Sequence, residues 1–164
     1  MKRELPVSGV VPIAEMRGED DDETQRLRSM EATARAFLSD FDWCSEIREF
    51  YFGEGIGDVF AIFLARIKPN RPSVDEYVWV IVGDIPSAYL VTDDCPSPKE
   101  ALEGYIWEVR KWVALAKEGR TSRDVIPVNA PATREWAQML ERRLNALEQR
   151  IIPIWFTSSD STPQ

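Results

Sequence analysis

The run Tyr77-Val78-Trp79-Val80-Ile81-Val82 is apolar at every position but for one phenolic hydroxyl and one indole N–H. Successive side chains of a strand point to opposite faces, so this run needs apolar cover on both sides. It reads as a central strand, and Gly83-Asp84-Ile85-Pro86 breaks it. A chain that carries such a strand must build a sheet with dry material above and below it.

The neighbouring segments supply the partners. Ile47-Arg48-Glu49-Phe50-Tyr51-Phe52 alternates and is rich in aromatics, as a half-buried strand should be. Gly53-Glu54-Gly55-Ile56-Gly57-Asp58 reads as a turn, and Val59 to Ile67 as the returning strand. The pair predicts an antiparallel hairpin. Pro69, Asn70, Arg71 and Pro72 close it, and Ala88 to Thr92 is expected as a short fourth strand.

Three helices are expected around this sheet. Asp22-Glu23-Thr24-Gln25 fits a capping box, with Asp22 as the cap. Leu27, Met30, Ala34, Phe37 and Leu38 follow at helical spacing, with an end near Asp40. Ser97-Pro98-Lys99-Glu100 places a cap, a first-turn proline and an acid where a second helix wants them. Its apolar stripe is Leu102, Tyr105, Ile106, Val109, Val113 and Ala116, and Gly119 suits its end. A last helix is expected over 132–152, with Trp136, Leu140, Leu144, Leu147 and Ile151 inward. The connection before it, 120–130, holds Val125, Ile126 and Val128 as anchors. The expectation is an α+β fold: an antiparallel sheet of three to four strands with about three helices, in the order α-β-β-β-(β)-α-α. A single domain over 22–156 is expected between a flexible acidic arm, 1–21, and a disordered tail, 157–164. A chain of this length buries roughly 70% of its unfolded surface, enough for a core without a disulfide or a metal.

Function is bounded first by what is missing. The chain has no histidine. Ser-His-Asp and Cys-His nucleophile pairs are excluded, as are histidine-ligated zinc, copper and iron. Net charge is −8, and residues 1–24 hold half of it, with seven acidic side chains against three basic. Such a surface repels phosphate backbones, so nucleic acid is not an expected partner, whereas a basic protein is. Cys44 and Cys95 have no CxxC spacing and read as reduced thiols of a cytoplasmic protein. The apolar stretch near the start is broken by Pro6, Ser8, Gly9 and Pro12, so it is a poor signal sequence. No run approaches the roughly 20 apolar residues of a membrane span.

Candidate sites follow from these exclusions. The glycines at 53, 55 and 57 resemble a phosphate cradle, but a strand follows them, with Glu54 and Asp58 where phosphate would sit. A hairpin turn is the better reading. Asp84, Asp58 and Glu54 are the candidate carboxylates for a hard divalent cation, without the spacing of a calcium loop. Cys95 lies two residues before the Ser97 cap, yet no histidine can serve it as a base. Trp107 and Trp112 do not share one narrow stripe, so one of them is expected at the surface as an interface anchor. Arg120 and Arg123 are candidates to grip an anionic group in the same interface.

The run Trp79-Val80-Ile81-Val82-Gly83-Asp84-Ile85-Pro86-Ser87-Ala88-Tyr89-Leu90, then Pro98-Lys99-Glu100-Ala101 and Trp112, carries a resemblance. It resembles a bacterial family of uncharacterised domains with a Trp-x-(Ile/Val)-x-Gly-Asp-(Leu/Ile)-Pro-x-x-Tyr core and a following helix. The likeness covers about residues 76–113, about a quarter of the chain. It implies a bacterial cytoplasmic protein with a sheet and a helix, and it carries over no catalytic residue.

Two functional readings emerge. The favoured one is a non-enzymatic protein-binding module, adaptor or immunity-like, with an acidic surface and no cofactor. The alternative is a small ligand-binding domain or enzyme that uses carboxylates and a hard divalent metal.

Overall fold

The computed structural model of the protein describes residues 4–128 and 130–156. Contacts divide the chain into two compact units, Met1–Leu102 and Glu103–Gln164. The first holds the sheet. Its strands are β1 (Val11–Pro12), β2 (Cys44–Ile56), β3 (Phe60–Pro69), β4 (Tyr77–Gly83) and β5 (Ile85–Val91). They lie side by side in chain order, every neighbouring pair antiparallel. Helix α1 (Asp21–Ser39) precedes β2, and α2 (Pro98–Ala116) begins at the end of this unit.

The fold is α+β as expected, but the sheet has five strands where three to four were expected. The extra strand pairs Val11 with Phe52 and Pro12 with Tyr51. Two residues are too few to show a period, so this stretch carries no sequence signal. Beyond it, a 3₁₀ turn at Ile13–Glu15 brings Met16 into the core.

One face of the sheet packs against α1. Leu27, Met30, Ala34 and Leu38 meet Phe50 and Phe52 of β2, Ala61, Phe63, Ala65 and Ile67 of β3, and Val78, Val80 and Val82 of β4. Phe63 sits between two other rings, with centroids 5.3 Å from Phe50 and 5.9 Å from Phe52. By alternation, Phe60, Ile62 and Leu64 of β3 and Trp79 and Ile81 of β4 point the other way, and all are fully buried. The central-strand reading of Tyr77–Val82 holds, since β4 lies between β3 and β5. Trp79 donates its indole N–H to the Cys95 carbonyl at 2.7 Å, which satisfies the polar atom of a buried ring.

The first helix starts earlier than its capping pattern predicts. Asp20, not Asp22, is the cap, and its carboxylate accepts from the Glu23 N–H at 2.8 Å. This start places Asp21, Asp22 and Glu23 in the first turn, where the helix dipole favours negative charge. Glu23 also accepts from the Gly57 N–H at 2.7 Å and so ties α1 to the β2–β3 turn.

That turn is shorter than expected. Gly53 to Ile56 belong to β2, which accommodates them through a register shift between Phe52 and Glu54. At Gly55 a Cβ would lie 3.0 Å from the Phe60 carbonyl oxygen, so a side chain there would press the strands apart by a few tenths of an ångström. The connection from β4 to β5 is tighter still, with Gly83 facing Ile85 across Asp84. Gly83 has φ 146°, and a Cβ on it would lie 2.3 Å from the Val59 carbonyl oxygen.

The second unit contains the rest of α2, then α3 (Arg134–Ala146) and a π-helical segment, Leu147–Phe156. At the start of α2, in the first unit, Ser97 caps the helix as expected: its hydroxyl accepts from the Glu100 N–H at 3.5 Å, and the two side chains are hydrogen-bonded to each other. Gly119, at φ 68°, closes the helix, and the Arg120 N–H returns to the Leu115 carbonyl at 3.0 Å. The last helix differs from expectation. It is α-helical only to Ala146 and then widens to π geometry, with Pro153 inside. Its buried stripe is Ala137, Leu140, Leu144 and Leu147, so Trp136 falls to the edge and is 44% exposed. The expected tail, 157–164, lies outside the described residues.

Two substitutions check these local arguments. Gly83→Ala is expected to cost at least about 2 kcal/mol, because it adds backbone strain to a clash with Val59. Asp20→Ala should cost about 1 kcal/mol, and Asp22→Ala clearly less. Urea unfolding of the three variants measures both.

Candidate functional site

Among the described residues, two concavities of the first unit bear on function. The smaller, about 180 Å³, is walled by Trp43 and Tyr89, with Val74, Val78 and Val91 as apolar lining and Asp75 as the charged member. Its aromatic wall is built where α1 stops. Phe37, at the end of that helix, meets Phe41 edge-on at 5.1 Å. Phe41 stacks on Trp43 at 4.9 Å, 26° from parallel. Tyr89 of β5 closes the group, 5.1 Å from Phe41 and 4.8 Å from Trp43, with the Trp43 and Tyr89 planes at 57°. Such tilted and stacked contacts are worth about 0.5–1.5 kcal/mol each beyond their burial.

The β3–β4 connection lies across this corner and is held there by polar contacts. The Asn70 N–H donates to the Trp43 carbonyl at 3.4 Å, and its side-chain amide donates to the Asp42 carbonyl. Arg71 reaches the Asp42 carboxylate at 3.5 Å. The Val74 N–H returns to the Arg71 carbonyl at 3.1 Å, turning the chain so that Val74 and Asp75 line the pocket.

The larger concavity, about 330 Å³, lies at the other end of β4. It brings Asp58 and Asp84 together with Ser29, Met30 and Thr33 of α1. The Asp84 N–H donates to the Val59 carbonyl at 3.0 Å, which joins the two turns. Asp58 holds φ 65° and faces Arg26 at 3.7 Å, with both side chains largely exposed. Two of the three candidate metal ligands therefore share a pocket, and Glu54 does not line it. Among the described residues, no group of three or more His, Cys, Asp or Glu side chains could hold a metal ion.

Glu54 lies within β2, where burial raises its carboxyl above the ordinary value and the Gly55 N–H lowers it in part. Cys44 and Cys95 are buried and unbridged. Burial pushes both thiols up, and the carboxylates of Asp94 and Glu100 push Cys95 further. The geometry conceived for a reactive Cys95 thus has the wrong electrostatics, since nucleophilic thiols need a cation nearby.

The second unit separates the paired tryptophans. Trp112 is 3% exposed and counts among the buried apolar residues. Trp107 is 66% exposed, with the Lys111 ammonium 5.5 Å from its ring centroid. Arg110 bridges Asn145 and Glu148, each at 3.0 Å, and Lys117 pairs with Glu141 at 2.8 Å. Arg120 faces Glu118 at 3.8 Å with both side chains exposed, and Arg123 is exposed in the connection.

Sequence reasoning missed Trp43, Asp75 and Tyr89 as a group. Tyr89 closes the Gly-Asp-Ile-Pro-x-x-Tyr run and Trp43 follows a helix end, but Trp43 and Asp75 lie outside the strands, and tertiary contacts bring them to Tyr89. No helix among the described residues is long and apolar enough to cross a membrane. No family model, no curated protein and no solved structure matches this chain.

Two pH effects follow. A carboxyl raised in the folded state favours folding below its unfolded value of 4.5 and loses that contribution as pH rises through the folded value. At neutral pH the Glu54 charge therefore opposes folding. Glu54→Gln should raise the urea midpoint at pH 7 and change it little at pH 3. The two thiols favour folding below 9.0, and this contribution falls as pH climbs past 9.0, where only the unfolded chain gives up the protons. Double Cys→Ser replacement should flatten the stability profile above pH 9, against a wild type that loses stability there.

Proposed function

We propose that the chain is a non-enzymatic protein-binding module, adaptor or immunity-like, that presents an acidic surface to a basic partner. The observation that carries this reading is Trp107, two-thirds exposed on a helix whose other large apolar residues are buried, apart from the half-buried Leu115. A Trp side chain buries roughly 150–250 Å² in an interface, on the order of several kcal/mol of apolar transfer. Exposed Trp residues among polar neighbours are frequent anchors of binding energy. Trp136 and Ile154 of the same unit are also exposed, at 44% and 70%. The net charge of −8 selects against phosphate backbones and favours basic proteins. Two buried, unbridged thiols accord with a reducing, cytoplasmic setting.

A second reading rests on the larger concavity, which brings the Asp58 and Asp84 carboxylates beside two hydroxyls. In this reading a small polar ligand or a hard divalent cation sits between the two acids. Calorimetry with divalent metals and polar metabolites, on wild type and on Asp58→Ala, Asp84→Ala and Glu54→Ala, tests it. Unchanged binding in all three variants would exclude those residues.

The favoured reading is tested by affinity capture from the native host, with mass spectrometry, at low and moderate salt. A stoichiometric basic partner is expected, weakening as salt rises. Trp107→Ala, at an exposed site, should leave stability unchanged and weaken binding by about 2 kcal/mol or more. Absence of any partner, or equal retention by the variant, would count against the module.

A further inference from the structure

The pocket at Trp43 combines three features that single out one kind of occupant. Its two rings are held by a third, Trp43 by the stacked Phe41 and Tyr89 by the edge-on contact with the same ring. The corner is thus formed before anything enters it, which removes an ordering cost from binding. Its charged lining residue is Asp75, an exposed carboxylate with no ion pair among the described residues. The guanidinium of Arg71, on the same connection, is already directed to Asp42 and Asn70. Two aromatic rings and a carboxylate attract a cation, and no cationic side chain lines the pocket.

The apolar walls decide which cation. Val74, Val78 and Val91 offer nothing to a hydrated ammonium but suit a chain of methylenes. A guanidinium is weakly hydrated, stacks flat on aromatic rings and forks onto a carboxylate, whereas an ammonium does none of these well. A cavity of about 180 Å³ has room for one such side chain. We propose that this pocket receives an arginine side chain from a basic protein segment. The guanidinium lies in the Trp43–Tyr89 corner against Asp75, and the stem runs along the valines. This names the chemistry of the partner and rests on the protein-binding reading above.

The test is a titration of ¹⁵N-labelled full chain with the capped tripeptide Gly-Arg-Gly. The same peptide with lysine or citrulline in place of arginine, and free L-arginine, are titrated in parallel. The Trp43 indole N–H is assigned through Trp43→Phe. Saturable shifts are expected at Trp43, Tyr89 and Asp75 with the arginine peptide, and binding about tenfold weaker or more with the uncharged citrulline peptide. Asp75→Asn removes an exposed charge while keeping its shape, and is expected to weaken the arginine peptide by a similar factor. An unperturbed spectrum outside the pocket shows that this variant stays folded. Equal binding of the citrulline peptide, no effect of Asp75→Asn, or no saturable shift at the corner overturns the proposal. Lysine binding as well as arginine overturns the guanidinium assignment. Free L-arginine binding as tightly as the peptide overturns the protein segment as the source. Capture of a salt-sensitive partner that ignores Asp75→Asn leaves the binding-module reading standing and removes this one alone.

Discussion

Two adjacent strands that must be dry on both faces set the terms for the first unit. Strands β3 and β4 carry Phe63, Ala65, Val80 and Val82 on one side and Phe60, Ile62, Leu64, Trp79 and Ile81 on the other, all buried. Hydrogen bonding within the pair, and outward to β2 and β5, satisfies their backbones, and the Trp79 bond to the Cys95 carbonyl satisfies the one polar side-chain atom among these residues. Every other element in the unit is placed by its relation to that pair. Helix α1 lies over the first side, and the outer strands extend the sheet from its two margins. At about 25 cal/mol per Å² of apolar surface, large residues such as Trp79 and Phe63 dominate the driving force.

The same pair also sets where the concavities form. At one end of β4, the backbones of Val59, Asp84 and Gly83 approach so closely that only glycine fits at 83, and this gathers Asp58 and Asp84. At the other end, the longer β3–β4 connection folds over Trp43 and brings Asp75 beside Tyr89. A short connection gives a polar pocket with two acids, and a long one gives an aromatic pocket with one. Loop length at the two ends of a single strand thus separates two chemistries within one sheet.

Legibility in the sequence followed the length and regularity of each pattern. The β4 run, the Ser-Pro-Lys-Glu start of α2 and the stripe of α1 were clear because several residues repeat one signal. The two residues of β1 had no room for a signal. Gly53 and Gly55 read as turn residues, yet they serve a bulged strand that needs close backbone approach. Consecutive acids from Glu19 to Glu23 blur the helix start, so Asp22 reads as the cap where Asp20 serves, and tertiary contact between Glu23 and Gly57 accompanies the observed start. In the last helix, a stripe centred on Ala137 and Leu140 left Trp136 outside, because a small residue in the right phase outranks a large one beside it. Of the candidate sites, the surface position of one tryptophan from the 107/112 pair was legible from helical phase. The Trp43–Asp75–Tyr89 corner was not, since its members lie on three separate segments.

The outer side of β2 has a consequence for behaviour at high concentration. Strand β1 covers only Tyr51 and Phe52 of a strand that runs from Cys44 to Ile56. A bare strand of that length is a template on which another copy could polymerise. This one is interrupted by three register shifts and carries Glu46, Arg48, Glu49 and Glu54 along its course. The two outermost strands each contain a proline, Pro12 and Pro86, with no N–H to offer an added strand. Irregularity that weakens the sheet locally is therefore also what keeps it from growing sideways into a fibre.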